Sequence, residues 1–246
     1  MAYSTRSYAR GFLSSHGLPP AIKWLLIVNT AIYFLQFFTQ LSGVGGIWDY
    51  FVLRPSDVVT HFRVWQLVTY MFLHGGVFHI LFNMLALWMF GVELERTFGT
   101  QRFLNFYLFC GIGAGLCVVL ADYLFGNPKV PTIGSSGAIY GILMANAVLW
   151  PDRIILFSFL FPIKMKYFVM IIGAIAFLGA FTPGNGVSDV AHLSGMGFGY
   201  LFLKFKRMRR GVDPVEMLRN QYKAWKLARA KKKFQVYLRK NKSDVN

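Results

Sequence analysis

The sequence predicts an all-α polytopic membrane protein that crosses the bilayer six times. Of its 246 residues, 55% are hydrophobic and 17% are aromatic, which is typical of a membrane protein and too apolar for a soluble domain of this length. The apolar residues form six runs, and most Lys and Arg lie in the terminal segments or in alternate connections between these runs. A cleavable signal peptide is not evident in residues 1–21.

Several of the six apolar runs approach the roughly 20 residues that a helix needs to cross a bilayer. They cover residues of about 23–41, 77–92, 103–125, 135–150, 166–182 and 190–205. The second and fourth runs are short, so we expect their ends to lie below the membrane surface or to line an aqueous cavity.

The basic residues predict that both termini are cytoplasmic. In that orientation 23 of the 26 Lys and Arg lie in cytoplasmic segments, and only Arg54, Arg63 and Lys129 lie outside. Cytoplasmic segments of membrane proteins carry such an excess. The predicted organisation is a cytoplasmic N-terminal segment over 1–20, a six-helix membrane domain over 21–206 and a basic cytoplasmic tail over 207–246.

The tail is strongly basic, with 15 Lys and Arg over residues 204–246. Asp213 and Pro214 begin a predicted amphipathic helix, because they fit the N-cap and the first helical position. A basic block of this kind binds either nucleic acid or an anionic membrane surface. Directly after a membrane span, we favour the anionic inner leaflet over nucleic acid. A solvated, partly disordered tail is the alternative.

Three connections between the runs are unusual. The outer loop over 42–73 is long and rich in aromatic residues, so we expect it to lie half in the outer leaflet. The cytoplasmic connection over 151–165 contains a short apolar stretch, which we expect to be interfacial, with a re-entrant segment as the lesser option. Residues 182–189 are the outer stretch richest in turn residues, so we expect them to be mobile.

Polar residues at membrane depth converge on the outer side. The second, fourth and sixth runs all enter from outside, and their outer ends carry His79 and Asn83, Ser136 and Tyr140, and His192. Polar groups at this depth are costly and usually functional. The topology alone therefore brings a serine, a histidine and an asparagine to one level.

Ser136 and His192 are the candidate nucleophile and base, because a serine hydroxyl needs an adjacent base to react. Glycines on the two helices, Gly137 with Gly141 and Gly195 with Gly199, give faces that allow close packing. Apart from Asp189 in the preceding loop, no carboxylate lies at this depth near the sixth run, which favours a dyad over a triad. Alternatively, the glycines pack the helices and Ser136 bonds a backbone carbonyl.

His79 and Asn83 are four residues apart and share one helix face. Together with the backbone N–H of Ser136 they can donate to a developing oxyanion. Metal binding with His74 is an alternative, but asparagine is a poor zinc ligand and no third histidine or carboxylate completes the set. Structural hydrogen bonds between helices are the other alternative.

Other chemistries lack their signatures in this sequence. It contains no His-Glu-x-x-His zinc motif, no pair of membrane-depth aspartates and no Gly-x-Ser-x-Gly pattern. A transporter or channel would need broken half-helices and membrane-depth carboxylates, which are also missing from the pattern. We therefore expect no metal and no other cofactor.

The motifs resemble those of the rhomboid intramembrane serine proteases. The family's His-x4-His-x3-Asn motif stands here as His74, His79 and Asn83, and its Gly-x-Ser-Gly motif as Gly134, Ser135, Ser136 and Gly137. Its Ala-His-x-x-Gly-x-x-x-Gly motif stands as Ala191, His192, Gly195 and Gly199, and its tyrosine as Tyr140. The likeness covers residues of about 20–205, including the turn from Glu95 to Gly99. It departs at Gln66, where the family usually has arginine after Trp65.

The resemblance implies a bacterial-type six-helix rhomboid bundle, multi-pass in the inner membrane, that cleaves transmembrane helices near the outer face. Ser136, rather than Ser135, would be the nucleophile and His192 the base. Ser136 N–H, His79 and Asn83 would bind the oxyanion. Substrate would enter laterally past the fifth span, with residues 182–189 as a movable cap. Supporting roles would fall to His74, Gly134, Gly137, Tyr140, Gly195 and Gly199. Cleavage needs an exposed backbone, so we expect client helices with Gly, Ser, Ala or Pro near their outer ends. A catalytically silent relative that binds transmembrane clients is the alternative.

Overall fold

The computed structural model describes residues 17–157, 161–181, 186–211 and 226. In chain order, the named elements of the described residues are α1 Pro20–Leu41, a 3-10 helix Gly45–Tyr50, α2 Pro55–Thr60, α3 Gln66–Thr69, a 3-10 helix Tyr70–Phe72, α4 Val77–Phe98, α5 Thr100–Phe125, α6 Ser136–Leu149, β1 Ile154–Phe157, β2 Phe161–Lys164, α7 Met165–Gly179 and α8 Gly186–Gly211.

Three of these helices, α1, α4 and α5, are long and apolar enough to cross a membrane. α6 and α7 are apolar but have only 14 and 15 residues. A helix of 14 residues is about 21 Å long, which is shorter than the hydrocarbon core of roughly 30 Å. The prediction of a mainly helical membrane protein is confirmed, whereas the count of six spans stays a prediction.

α4 continues beyond the end that the apolar pattern predicts. The second run was expected to end near residue 92, but the helix continues to Phe98. In this last part Glu95 is buried, and its carboxylate accepts hydrogen bonds from the backbone N–H groups of Ala21 and Ile22, at 2.9 and 2.8 Å. A carboxylate is favourable at the N-terminus of a helix. Glu95 thus joins α4 to the start of α1.

The connection after α6 corrects the all-α prediction. Residues Ile154–Phe157 and Phe161–Lys164 pair as antiparallel strands, with Ile154 opposite Lys164. The run is rich in β-branched and aromatic residues and is too short to show a helical period. Asp152 holds the base of the hairpin, since its carboxylate accepts from Lys164 and Lys166. These hydrogen bonds lower the pKa of Asp152 below its usual range, and the bond from Lys166 has the larger effect.

The loop over residues 42–73, which was predicted to be on the outer side, is folded rather than extended. Leu53 and Thr132 exchange backbone hydrogen bonds of 3.0 and 2.8 Å, which fix the loop to the segment before α6. Gln66 is fully buried; its side-chain oxygen accepts from Arg54 N–H and its amide donates to the Tyr50 carbonyl. Gln66 therefore closes the loop with two hydrogen bonds where the family's arginine would stand. Whether the loop lies in the outer leaflet stays a prediction.

α6 lies in the centre of the helix packing. It packs against α4, α5 and α7 and meets α8 through glycines. Its buried positions lie on more than one side, as in Gly137, Ile139, Gly141 and Ala145. The residues at its start are therefore within reach of several other helices.

The chain divides into two compact units, Met1–Phe202 and Leu203–Asn246. The first unit contains the elements from α1 to most of α8. In the second unit the structure describes the end of α8 and the exposed helical residue Lys226. The predicted tail helix beginning at Asp213 lies outside the described residues, and so does the predicted N-terminal segment, apart from 17–20.

Candidate active site

A tight backbone turn places two serines at the start of α6. Gly134 adopts a φ of +118°, a conformation that L side chains rarely adopt. Its N–H donates to the Tyr70 carbonyl at 2.9 Å. The turn leaves Ser135 fully buried, whereas Ser136, the first residue of α6, is partly exposed. Of the two serines, Ser136 is therefore the one that a substrate can reach.

Ser136 and His192 lie in direct contact. The distance between Ser136 Oγ and His192 Nε2 is 2.9 Å, a hydrogen-bond distance. Tyr140, one turn further along α6, stacks on the imidazole with ring centroids 4.1 Å apart and an interplanar angle of 4°. The tyrosine face thus limits rotation of the histidine while leaving Nε2 directed at the hydroxyl.

Glycine contacts bring the two helices this close. A Cβ built on Gly195 would overlap the backbone carbonyl of Gly137, and one on Gly199 would lie 2.7 Å from the carbonyl oxygen of Gly141. On its other side, a Cβ on Gly137 would lie 2.7 Å from the Cβ of Ala114 on α5. α6 and α8 therefore meet backbone to backbone, as the glycine pattern predicts.

His79 and Asn83 face the turn that precedes Ser136. A Cβ on Gly134 would lie 2.7 Å from His79 Nε2 and 3.7 Å from Asn83 Nδ2. The Gly75 N–H donates to His79 Nδ1 at 3.3 Å, which assigns the ring proton to Nε2, the nitrogen beside Gly134. Within the described residues, the buried Asn83 Nδ2 has no hydrogen-bond partner.

The backbone of α6 adds a third donor. The first N–H groups of a helix have no partner within the helix, and Ser136 is the first residue of α6. Its N–H follows directly after the Gly134 turn that His79 and Asn83 face. Three hydrogen-bond donors thus lie around the chain segment next to the Ser136 hydroxyl, an arrangement that can hold an oxyanion.

His74 supports His79 without facing Ser136 directly. The two imidazoles are edge to face, with centroids 5.1 Å apart. His74 is 3% exposed, and neither of its ring nitrogens has a hydrogen-bond partner among the residues that the structure describes. Burial, and secondarily the neighbouring His79, lowers the pKa of His74 to about 4. Its backbone N–H donates to Gln36 Oε1 at 3.1 Å.

Two residues near the site were not predicted in their observed roles. Gln36 is 6% exposed on α1, and its isolated position in an apolar run was the signal available in the sequence. Asp189 was expected in a loop, but α8 begins at Gly186, which places Asp189 in the helix. Its carboxylate oxygen Oδ1 lies 3.5 Å from His192 Nδ1. Of the predicted cap, the described part, residues 186–189, is thus helical.

Over the described ranges, no group of three or more His, Cys, Asp or Glu side chains is arranged to hold a metal ion. His74 and His79 are therefore not accompanied there by a third ligand of these types. The prediction that the protein needs no metal or cofactor stays a prediction.

Comparisons with known proteins agree on one family. Residues 61–209 match the family model of the rhomboid domain. RHOMBOID-like protein 1 of Arabidopsis thaliana is 32% identical over 187 residues, which are 75% of this chain and 45% of that protein. The rhomboid protease GluP of Bacillus subtilis is 33% identical over 181 residues, or 72% of this chain and 33% of that protein. The chain thus spans less than half the length of either relative.

A third relative is closer to this chain in length. The rhomboid protease GlpG of Haemophilus influenzae is 28% identical over 180 residues, which are 72% of this chain and 88% of that protein.

Proposed function

The chain belongs to the rhomboid family, and we propose that it is an intramembrane serine endopeptidase that cleaves transmembrane helices near the outer face of the membrane. Its apolar helices and its family make it a multi-pass membrane protein. The observation that carries the proposal is the 2.9 Å contact between Ser136 Oγ and His192 Nε2. An imidazole nitrogen at this distance can accept the hydroxyl proton, which makes the serine nucleophilic.

In the proposed mechanism Ser136 Oγ attacks the carbonyl carbon of the scissile peptide, and its proton passes to His192 Nε2. The tetrahedral intermediate then collapses. The C–N bond breaks, and the leaving amine takes the proton from Nε2. The acyl group remains on Ser136 as an ester. A water molecule then attacks this ester, again giving a proton to His192, and the serine is regenerated with that proton.

The oxyanion of each tetrahedral intermediate would be bound by three donors: Ser136 N–H, His79 Nε2–H and Asn83 Nδ2–H. The tautomer of His79 supports this role, because its Nδ1 accepts from Gly75 and leaves the proton on the other nitrogen. The Asn83 amide supports it as well, since its nitrogen is buried without a partner in the described structure. Donors that are fixed before the reaction stabilise the charge that develops in it.

The substrates that fit this site are transmembrane segments. A helix shields its own peptide bonds by internal hydrogen bonds, so cleavage requires local unwinding near the outer end. We therefore propose clients with Gly, Ser, Ala or Pro near the cleavage site. A model substrate cleaved equally fast with and without such residues would contradict this preference. Lateral entry past α7 is the proposed route.

The basic tail would bind the anionic lipids of the inner leaflet, with both termini cytoplasmic in a cell membrane. The charge of residues 204–246 supports this proposal. A tail peptide of residues 207–246 is expected to bind vesicles that contain anionic lipid and to be released at high salt, because screening weakens the attraction. Equal binding to neutral vesicles would contradict leaflet docking.

The test uses the purified full chain and a single-span reporter substrate in detergent or liposomes. Ser136→Ala and His192→Ala should each lower cleavage by several orders of magnitude, as loss of a nucleophile or base does in other serine proteases. The matched control is Ser135→Ala, which removes a neighbouring hydroxyl and should leave cleavage close to that of the wild type.

Cleavage that survives in Ser136→Ala would overturn the proposed mechanism. A wild-type protein that binds the reporter but never cuts it would instead favour a silent, client-binding relative. The two outcomes are separated by measuring reporter binding and cleavage in the same preparation.

A further inference from the structure

The imidazole of His192 has an acidic neighbour on the side away from Ser136. Asp189 lies one turn earlier on α8, and its Oδ1 is 3.5 Å from His192 Nδ1. The Asp189 and His192 side chains are 21% and 19% exposed. Because Nε2 contacts the serine hydroxyl, the two ring nitrogens have separate partners, a hydroxyl on one side and a carboxylate on the other.

The Asp189 carboxylate lies directly beside Gly179, the last residue of α7. A Cβ built on Gly179 would overlap Asp189 Oδ2 and would lie 2.7 Å from its carboxyl carbon. The carboxylate therefore occupies the space that a side chain at position 179 would fill. Two independent features thus fix its place: the turn of α8 that it shares with His192, and the glycine of the neighbouring helix.

We propose that Asp189 is a positioning residue for His192, held by Gly179, so that the proposed Ser136–His192 dyad works with a third, acidic member. This inference rests on the proposed function, because it assigns Asp189 a role in the same proton transfer. Asp189 would keep its charge throughout. The proton moves from Ser136 Oγ to His192 Nε2 and then to the leaving amine, and no proton passes to the carboxylate.

Asp189 would act on His192 in two ways, by orienting the imidazole and by supplying a negative charge. A carboxylate beside Nδ1 favours the tautomer with the proton on that nitrogen, which leaves Nε2 free to accept from the serine. It also stabilises the imidazolium that forms when the hydroxyl proton arrives. The distance of 3.5 Å is longer than a strong hydrogen bond, so the expected effect is smaller than the roughly 10⁴-fold effect of the carboxylate in soluble triads.

Among the residues that the structure describes, the other ionisable groups near His192 come from two helices. Tyr140 of α6 stacks on the ring, and His79 of α4 faces the turn before Ser136. Both are ordinarily neutral near pH 7, so the charge that Asp189 brings is negative and is not cancelled by either of them. Removing this charge disfavours the imidazolium, and His192 then becomes a neutral base at a lower pH.

The first test is Asp189→Asn in the full chain, with kcat and KM measured on the single-span reporter across pH. We expect kcat to fall about tenfold to hundredfold, by analogy with the range seen when the hydrogen-bond partner of a metal-binding histidine is removed, and KM to stay within about twofold. The acid limb of the kcat/KM profile should move to lower pH. The charge-matched control is Asp152→Asn, an exposed carboxylate at the base of the β-hairpin, which should change neither quantity.

The second test leaves every ionisable group in place. Gly179→Ala adds a methyl group where the Asp189 carboxylate lies, so it should lower kcat and move the acid limb in the same direction. Its control is Gly173→Ala on the same helix, whose Cβ would meet the flexible end of Met196 at 3.3 Å and which should behave like the wild type.

Thermal unfolding of each variant shows whether it is folded. A folded Asp189→Asn protein with wild-type kcat and an unchanged pH profile would overturn the inference, and so would a change confined to KM. If Asp189→Asn does not fold, Gly179→Ala decides by the same two readouts. Failure of the proposed function itself is seen separately, as cleavage by Ser136→Ala.

Discussion

Replacement of Gly199 by alanine tests whether the glycine contact between α6 and α8 sets the distance between serine and histidine. A Cβ at this position would lie 2.7 Å from the Gly141 carbonyl oxygen and 2.9 Å from the Gly141 Cα. Ordinary contact begins near 3.4 Å, so the backbones must separate by about 0.7 Å. Backbone atoms cannot turn aside as a flexible side chain can.

The same separation, passed along the rigid helix to His192, would lengthen the 2.9 Å contact with Ser136 to about 3.6 Å, beyond hydrogen-bond range. A misplacement of about 1 Å can cost roughly a hundredfold in rate. We therefore expect kcat to fall by about tenfold to hundredfold. Overpacking of this kind should also lower the free energy of unfolding by about 1–3 kcal/mol.

The assay compares kcat on the single-span reporter, and the thermal midpoint in the same detergent, with those of Gly197→Ala. Gly197 lies on the same helix, and no atom lies within 4 Å of the Cβ that it would gain. Gly197→Ala should therefore keep the wild-type rate and a midpoint that is unchanged or slightly higher, since alanine is the better helix former. Equal rates for the wild type, Gly199→Ala and Gly197→Ala would refute the idea that the glycine contact sets the catalytic distance.

Two further substitutions test the groups around the dyad. Tyr140→Phe keeps the stacked ring and should leave kcat within about twofold of the wild type. Tyr140→Ala removes the ring and should lower kcat about threefold to tenfold, because a stacked pair of this kind contributes about 0.5–1.5 kcal/mol. Equal rates for the two variants would contradict the stacking role. Asn83→Ala should lower kcat about 10²- to 10³-fold with little change in KM, as loss of an oxyanion donor does, and an effect on KM alone would place Asn83 in substrate binding instead.

The apolar runs predicted where helices form because hydrophobicity is a strong local signal, and the prediction failed where a long-range contact decides the structure. The helix α4 does not end near residue 92, where the apolar run ends. It continues through Glu95, whose carboxylate is fixed by hydrogen bonds from the start of α1. No apolar pattern contains that information, since the partners are more than 70 residues apart. The hairpin of Ile154–Phe157 and Phe161–Lys164 was missed because short apolar runs look alike in helices and strands.

The site was predictable for a different reason. Depth in the membrane follows from topology, so the polar residues of three runs that enter from the same side are expected at one level. The structure brings Ser136, His192 and Tyr140 together and sets His79 and Asn83 against the adjacent turn. Asp189 was read as part of a loop, because the preceding Gly and Asn residues are typical of turns. Its position relative to His192 depends on where α8 begins, which the sequence pattern alone does not decide.

The amide nitrogen of Asn83 is informative because no protein acceptor engages it. Within the described residues the buried Nδ2 has no hydrogen-bond partner, so this donor is available to a bound substrate. Under the proposed mechanism this donor gains its partner only when the carbonyl oxygen becomes an oxyanion. An interaction that is made in the transition state and not before lowers the barrier rather than merely binding the substrate. The Gly134 turn serves the same arrangement, because it holds the segment before Ser136 against His79, where a Cβ would lie 2.7 Å from Nε2 and displace that donor.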